Sequence, residues 1–151
     1  MAFHGIIRGL IAGAAGTTAL NAATYLDMAV RGRPASSTPE QSVDRLADRA
    51  DVSLGEGEEA ENRRSGLGPM LGIATGLGVA AGYRAVLGRR LPWAVETGAL
   101  TLLAMAGSAA PMTLLGITDP RTWSGSDWMA DLVPHLAYGA TAATALRLID
   151  E

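Results

Sequence analysis

Glycine recurs at every fourth position in two apolar stretches of this chain. Gly5, Gly9 and Gly13 do so in the first, and Gly68, Gly72 and Gly76 in the second, where Gly78 and Gly82 form a further pair. On a helix this spacing lines the glycines along one face and leaves a groove with no side chains. A neighbouring backbone can approach closely there, which is how helices associate in lipid. In water each such glycine would cost a helix about 1 kcal/mol relative to alanine. The spacing therefore predicts closely packed membrane helices, with Gly5, Gly9, Gly13, Gly68, Gly72 and Gly76 as packing residues and at least one of these two rows against another helix.

Four uncharged runs support that reading: Gly9 to Leu26, Ser65 to Tyr83, Thr97 to Thr118 and Leu132 to Leu146. A hydrocarbon core of about 30 Å takes about 20 helical residues to cross. The fourth run is short, but a helix from Asp127 to Ile149 rises about 34 Å. The predicted fold is all-α: an integral membrane four-helix bundle forming a single domain over 1–151. Its spans fall at about 6–28, 65–84, 92–117 and 127–148, with a polar loop at 31–64. A water-soluble bundle would carry charge along one side of every helix, and these runs carry none. The apolar mass is mostly small and aliphatic, with only seven aromatic residues, which suits thin helices in close contact. Arg8, the first run and the small residues near Ala22 also have the shape of a signal peptide; the run is read here as a retained span.

The ends are punctuated. Pro92 fits the first turn of the third helix, and Ser126 fits the N-cap of the fourth. Pro111 and Pro134 fall inside helices, where kinks are expected. Tyr83, Trp93, Trp123 and Trp128 sit near run ends, as an aromatic belt would place them. In the loop, Thr38, Pro39 and Gln41 form a helix start. Val43, Leu46, Ala47 and Ala50 then share one face, so Pro39 to Asp51 reads as one short amphipathic helix. Gly55 to Asn62 reads as a mobile loop.

Charge and cysteine usage exclude several classes. The formal charge of -3 and the interleaving of arginines with acids give no basic stripe, so no nucleic-acid partner is expected. All the basic residues are arginine, as in GC-rich bacterial coding. There is no cysteine, which excludes disulfides, thiolate metal sites and cysteine nucleophiles. Four spans put both termini on one side with the 84–96 connection. Raw arginine count favours the long loop inside. The density of Arg84, Arg89 and Arg90 favours the other side, and the reading takes both termini as cytoplasmic in the plasma (inner) membrane.

Polar side chains gather at the long-loop end. Asp127, Asp131 and His135 are spaced i, i+4, i+8 and share a helix face. The same end holds Asp27, Arg31, Arg33, Arg63, Arg64, Asp119 and Arg121. Ionisable groups at the edge of a span are costly and often functional, so Asp131 and His135 are candidates for a proton site. An interfacial charge network fixing helix ends, with Asp27, Asp131 and His135 approaching Arg31, Arg33, Arg63 or Arg64, accounts for the same residues and is preferred. One His–Asp pair supplies too few ligands for a metal. His4 and His135 lie at opposite ends, against a bis-histidine haem. No cofactor is expected. Glu96, one turn after Pro92, reads as a buried carboxylate or as an interfacial residue paired with Arg89 or Arg90, and the second is preferred. Thr17, Thr18, Asn21, Thr24 and Tyr25 read as interhelical hydrogen-bonding groups. No nucleophile, zincin, P-loop or dinucleotide motif is present, so no catalytic residue is assigned.

Two stretches, TTALNAATYLDMAVRGRPAS at 17–36 and DPRTWSGSDWMADLVPHLAYG at 119–139, resemble small bacterial four-span membrane proteins and are similar to the YagU-like inner-membrane family. The resemblance covers about a quarter of the chain. It implies a bacterial membrane protein in which both stretches meet at one end of the bundle, and it carries no mechanism. The expected function is non-enzymatic: a structural or accessory membrane protein that self-associates or joins a larger complex through glycine-lined faces. A small channel or transporter with a site at Asp131 and His135 is the alternative. An enzyme acting on lipid headgroups is the third possibility. Polarity concentrated at one end favours the first.

Overall fold

The computed structural model describes residues 2–87 and 91–150, with side chains from His4 onward. Five α-helices account for the described residues, and no strand occurs among them. They are α1 (Ala2–Arg31), α2 (Thr38–Arg49), α3 (Gly57–Leu87), α4 (Trp93–Leu114) and α5 (Gly125–Ile149), with a 3-10 turn at Pro120–Thr122. The four apolar runs lie in α1, α3, α4 and α5, and the amphipathic segment is α2. Gly32 and Gly116, at φ 62° and φ 70°, end α1 and α4 in the left-handed conformation that glycine adopts without a steric penalty.

Three local expectations are corrected. The N-cap of α5 is Ser124, not Ser126: Ser124 accepts from the Asp127 backbone N–H while the Asp127 carboxylate accepts from the Ser124 backbone. This reciprocal capping box satisfies two donors that a helix start leaves open. The segment from Gly55 to Asn62 is not a loop, because α3 begins at Gly57. Glu58 and Glu59 in its first turn complement the positive end of the helix, and Glu59 pairs with Arg63 one turn on at 2.6 Å. The start of α2 shifts by one residue, with Ser37 before the helix holding the Gln41 side chain at 2.8 Å.

α1 packs along α3 and α5, α4 packs along α5 and less extensively along α3, and α2 lies across the start of α3. Arg8 near the start of α1 bonds to Asp150 at the end of α5. Asp150 also bonds to Arg84 near the end of α3. The start of α1, the end of α3 and the end of α5 therefore lie at one end of the bundle.

The core is built from small residues around one large ring. Ala12, Ala80, Ala104, Ala142 and Ala143 surround Tyr138, which is fully buried together with Leu100 and Leu146. The Tyr138 hydroxyl donates to the Gly76 carbonyl at 2.6 Å. Gly9 and Gly13 face the α3 backbone at Ala80, Ala81, Gly76 and Leu77 so closely that a Cβ would overlap it. Gly16 makes room for the Tyr138 ring, and Gly76 makes room for Thr17.

The predicted glycine rows are thus used unevenly. Gly5 has ordinary space beside Arg84. Gly68 meets Pro39 of α2, not a spanning helix. Gly72 meets nothing within the chain, because the α3 face contacting α1 runs through Gly76 and Ala80 and leaves it outside. Gly139, outside both rows, lets α5 approach Thr97 and Thr101 of α4.

The bulk of the large apolar side chains points outward. Ile7 and Ile11 on α1, Met70 and Ile73 on α3, Leu102 and Leu103 on α4, and Val133 and Leu136 on α5 are exposed. Among the described residues two helices, α3 and α4, are long and apolar enough to cross a membrane, and only 22 % of the residues in each apolar window are buried. α1 and α5 fall short of that hydropathy; threonines and Asn21 interrupt the first, and Pro134 and His135 the second.

Candidate functional site

The charged residues expected to converge at the loop end divide into local pairs. Asp27, just past the apolar run of α1, accepts a hydrogen bond from the Arg33 side chain and lies 3.6 Å from Arg31. Arg63 bridges Glu59 and donates to the Leu54 carbonyl at 2.8 Å. Arg64 crosses to α2 and bonds Asp44 at 2.5 Å. The Asp44 carboxylate favours the charged guanidinium and raises the Arg64 pKa above its ordinary value. Asp127 is spent on the α5 cap, and Arg121 is exposed, 4.0 Å from Asp119.

Asp131 and His135 stand apart from all of these. Among the described residues neither pairs with a loop arginine, which corrects the expected network: Asp27 alone of the three reaches the arginines. The helical register explains the separation. Asp127 is exposed at the helix start, Asp131 is partly covered, and His135 one turn deeper is buried against α4. His135 Nδ1 lies 2.7 Å from the Asp131 carbonyl oxygen and 3.4 Å from its carboxylate. On its other side, Nε2 lies 3.3 Å from Ser108 Oγ of α4, which also donates to the Met105 carbonyl at 3.0 Å.

A serine hydroxyl has one proton. When Ser108 gives it to Met105, Nε2 needs a proton of its own to bond Ser108. When Ser108 turns its proton to the ring, Nε2 accepts. The contact can therefore hold His135 with or without a proton on Nε2.

Further polar groups of α4 face inward. Glu96 is 1 % exposed, with one carboxylate oxygen bonded by the Tyr83 hydroxyl at 3.3 Å and the other without a partner. This corrects the expectation of an interfacial Glu96; Arg89 and Arg90, its expected partners, lie outside the described residues. Thr97 and Thr101 are buried with unpartnered hydroxyls. Inward-facing polarity on α4 therefore runs from Glu96, held by Tyr83 of α3, through Thr97 and Thr101 beside α5 to Ser108, which meets His135 near the loop end.

A second group, at the terminal end, went unread in the sequence. Arg8 bonds one oxygen of Asp150 at 2.7 Å and Arg84 bonds the other. Arg84 and Asp150 are both buried there. Arg147 donates to the Leu91 carbonyl at 3.0 Å. This cluster fastens α1, α3 and α5 at one point and reads as structural. No group of metal-ligating side chains occurs among the described residues. No family model, curated protein or solved structure matches this chain.

Proposed function

We propose that this chain is a multi-pass protein of a bacterial plasma membrane, a four-span bundle of α1, α3, α4 and α5 with α2 at one end. We assign it a non-enzymatic structural or accessory role, exercised by association with further copies or a larger membrane complex. The observation that carries the reading is the distribution of side chains: alanine, glycine, threonine and tyrosine inside, leucine, isoleucine, valine and methionine outside. Left in water, each large aliphatic side chain would forgo roughly 1.5–3 kcal/mol of burial. Facing lipid it forgoes none, because the bilayer core is as apolar as the side chain. A soluble core helix would be mostly buried, and only 22 % of the residues in the apolar windows of α3 and α4 are buried. α1 and α5 bury Thr17, His135 and Tyr138 beside them and complete the bundle.

Association would use what the fold leaves open. A Cβ at Gly78 or Gly82, one turn apart on α3, would meet no atom of the described residues within 4 Å, and there a second backbone can approach. Resistance of the protein to alkaline extraction from membranes tests insertion. Particle mass in mild detergent tests association: a mass above that of one chain, reduced by Gly78→Leu or Gly82→Leu, is expected. Release by alkali refutes the membrane reading, and a monomer with no co-purifying protein refutes the accessory role.

A small transporter is the second reading, favoured by one observation, the buried polar side chains along the α4–α5 contact.

A further inference from the structure

We propose that the buried face of α4, which meets α3 at Glu96 and α5 from Thr97 to Ser108, is a proton-transfer path, with the Glu96 carboxylate as its exchangeable site at one end and Ser108, His135 and Asp131 at the other. The inference rests on the membrane placement and deepens the transporter reading by naming the ion and the residues. Three oxygens carry it: Oε2 of Glu96 and Oγ1 of Thr97 and Thr101, none with a hydrogen-bond partner. Their residues are 1 %, 6 % and 4 % exposed. Burying such groups unbonded costs about 1–3 kcal/mol each, and more for a charged one.

Packing alone does not require these residues. Thr17, Thr18, Thr24, Thr75, Thr113 and Thr144 each donate to the carbonyl four residues back. Thr97 and Thr101 do not, and their hydroxyl protons remain available to another acceptor. Gly139 brings α5 against both: a Cβ there would lie 2.6 Å from the Thr97 carbonyl oxygen and closer still to Thr101 Oγ1.

The groups follow one stripe. Thr97, Thr101 and Ser108 are spaced i, i+4, i+11, one side of α4, and His135 meets Ser108 across the α4–α5 seam. From Glu96 to Ser108 is about 18 Å of helix, and His135 to Asp131 adds one more turn. Between Thr101 and Ser108 the only buried α4 side chain is Ala104, small enough that a slight parting of the helices admits water. A proton taken up at Glu96 Oε2 passes to water in the seam, with the threonine hydroxyls accepting one proton as each releases another. It reaches His135 Nε2 as Ser108 turns toward Met105. Nδ1 then gives its proton to the Asp131 carboxylate, which releases it to water at the loop end, so one proton has crossed. The neutral ring is left with its proton on Nε2, and its return to the Nδ1-protonated form that bonds the Asp131 carbonyl readies the path for the next proton.

The purified chain, reconstituted in phosphatidylcholine–phosphatidylglycerol vesicles with a trapped pH-sensitive dye, tests this. A potassium gradient with valinomycin supplies the driving voltage. Internal acidification faster than in protein-free vesicles is expected. Glu96→Gln should slow it about a hundredfold, the low end of what a positioned proton-transfer group contributes. Thr101→Val, close in shape, should slow it too, and Glu59→Gln should leave it unchanged. Should Glu96→Gln fail to fold, Thr101→Val decides, together with infrared spectra of the wild type, in which a pH jump should change a buried carboxyl band. Acidification no faster than the protein-free rate, or equal in wild type and Thr101→Val, overturns the proposal. So does flux that follows sodium and not protons. Protein that never enters the vesicles refutes instead the membrane placement.

Discussion

Two glycine-to-alanine substitutions separate contacts within the chain from sites facing outward. A methyl at Gly9 would lie 2.5 Å from Ala81 Cα, 2.6 Å from the Ala80 carbonyl oxygen and 2.9 Å from its carbon. Ordinary contact begins at 3.4 Å. α3 would therefore have to retreat by up to 3.4 − 2.5 = 0.9 Å, and no rotamer change can relieve a backbone contact. Overpacking of this kind costs typically about 1–3 kcal/mol. Gly72 has open space, so Gly72→Ala meets no clash. Both substitutions gain the same helix propensity, about 1 kcal/mol, which cancels in the comparison. Gly9→Ala should then be about 1–3 kcal/mol less stable than Gly72→Ala. Loss of helicity during titration of mixed micelles with dodecyl sulfate, followed by circular dichroism, measures the difference. Equal midpoints would refute the close α1–α3 contact. A Gly72→Ala variant less stable than wild type would refute the open space beside Gly72.

Other substitutions probe the core and the two ends. Tyr138→Phe removes the bond to the Gly76 carbonyl and should cost about 1 kcal/mol in the same titration, because the ring still fills its site. Asp150→Asn leaves the buried Arg84 without its counter-charge and should cost about 3–5 kcal/mol. Adding Arg84→Met to Asp150→Asn should recover part of that loss. Gly68→Leu should undock α2, since a Cβ would already sit 3.2 Å from Pro39, and protease cleavage between 50 and 56 should quicken. Asp44→Asn, which breaks a partly exposed pair, should leave cleavage nearly unchanged, as exposed pairs contribute only about 0–1 kcal/mol.

The long helices were legible because an uncharged run is a local property. Their ends depended on hydrogen bonds that single residues signal weakly. The Ser124–Asp127 spacing is a capping-box pattern, and it identifies the start of α5 better than Ser126 does. Gly55 to Asn62 looked like a loop from glycine and charge, yet Glu59 and Arg63 one turn apart are a helical signal. The site was less legible, for a physical reason. Periodicity placed Asp131 and His135 on one face, but which helix covers that face is not periodic information. Ser108 enters from α4, and Tyr83 reaches Glu96 from α3. Arg8 and Asp150 are 142 residues apart, so nothing local announces their bond.

The distribution of tethers also bears on which helix can move. α1, α3 and α5 are joined by ion pairs at the terminal end, and α3 is tied to α2 by Arg64 and Asp44. α4 has one charged residue, Glu96, and makes no ion pair among the described residues. Near its ends it is held to the rest of the chain by single hydrogen bonds: Trp93 to Thr144, Tyr83 to Glu96 and Arg49 to the Leu114 carbonyl. Its contact with α3 is the less extensive of its two interfaces. The helix with the fewest electrostatic tethers is therefore the one whose buried face carries the unpartnered oxygens. Packing optimised for stability alone would place such groups elsewhere, or fill their positions with alanine and leucine, as the neighbouring turns of α4 do. A lightly held helix over a polar seam is what admission of water requires, since a small displacement of α4 opens Glu96, Thr97 and Thr101 without breaking the ion pairs that join the other three helices.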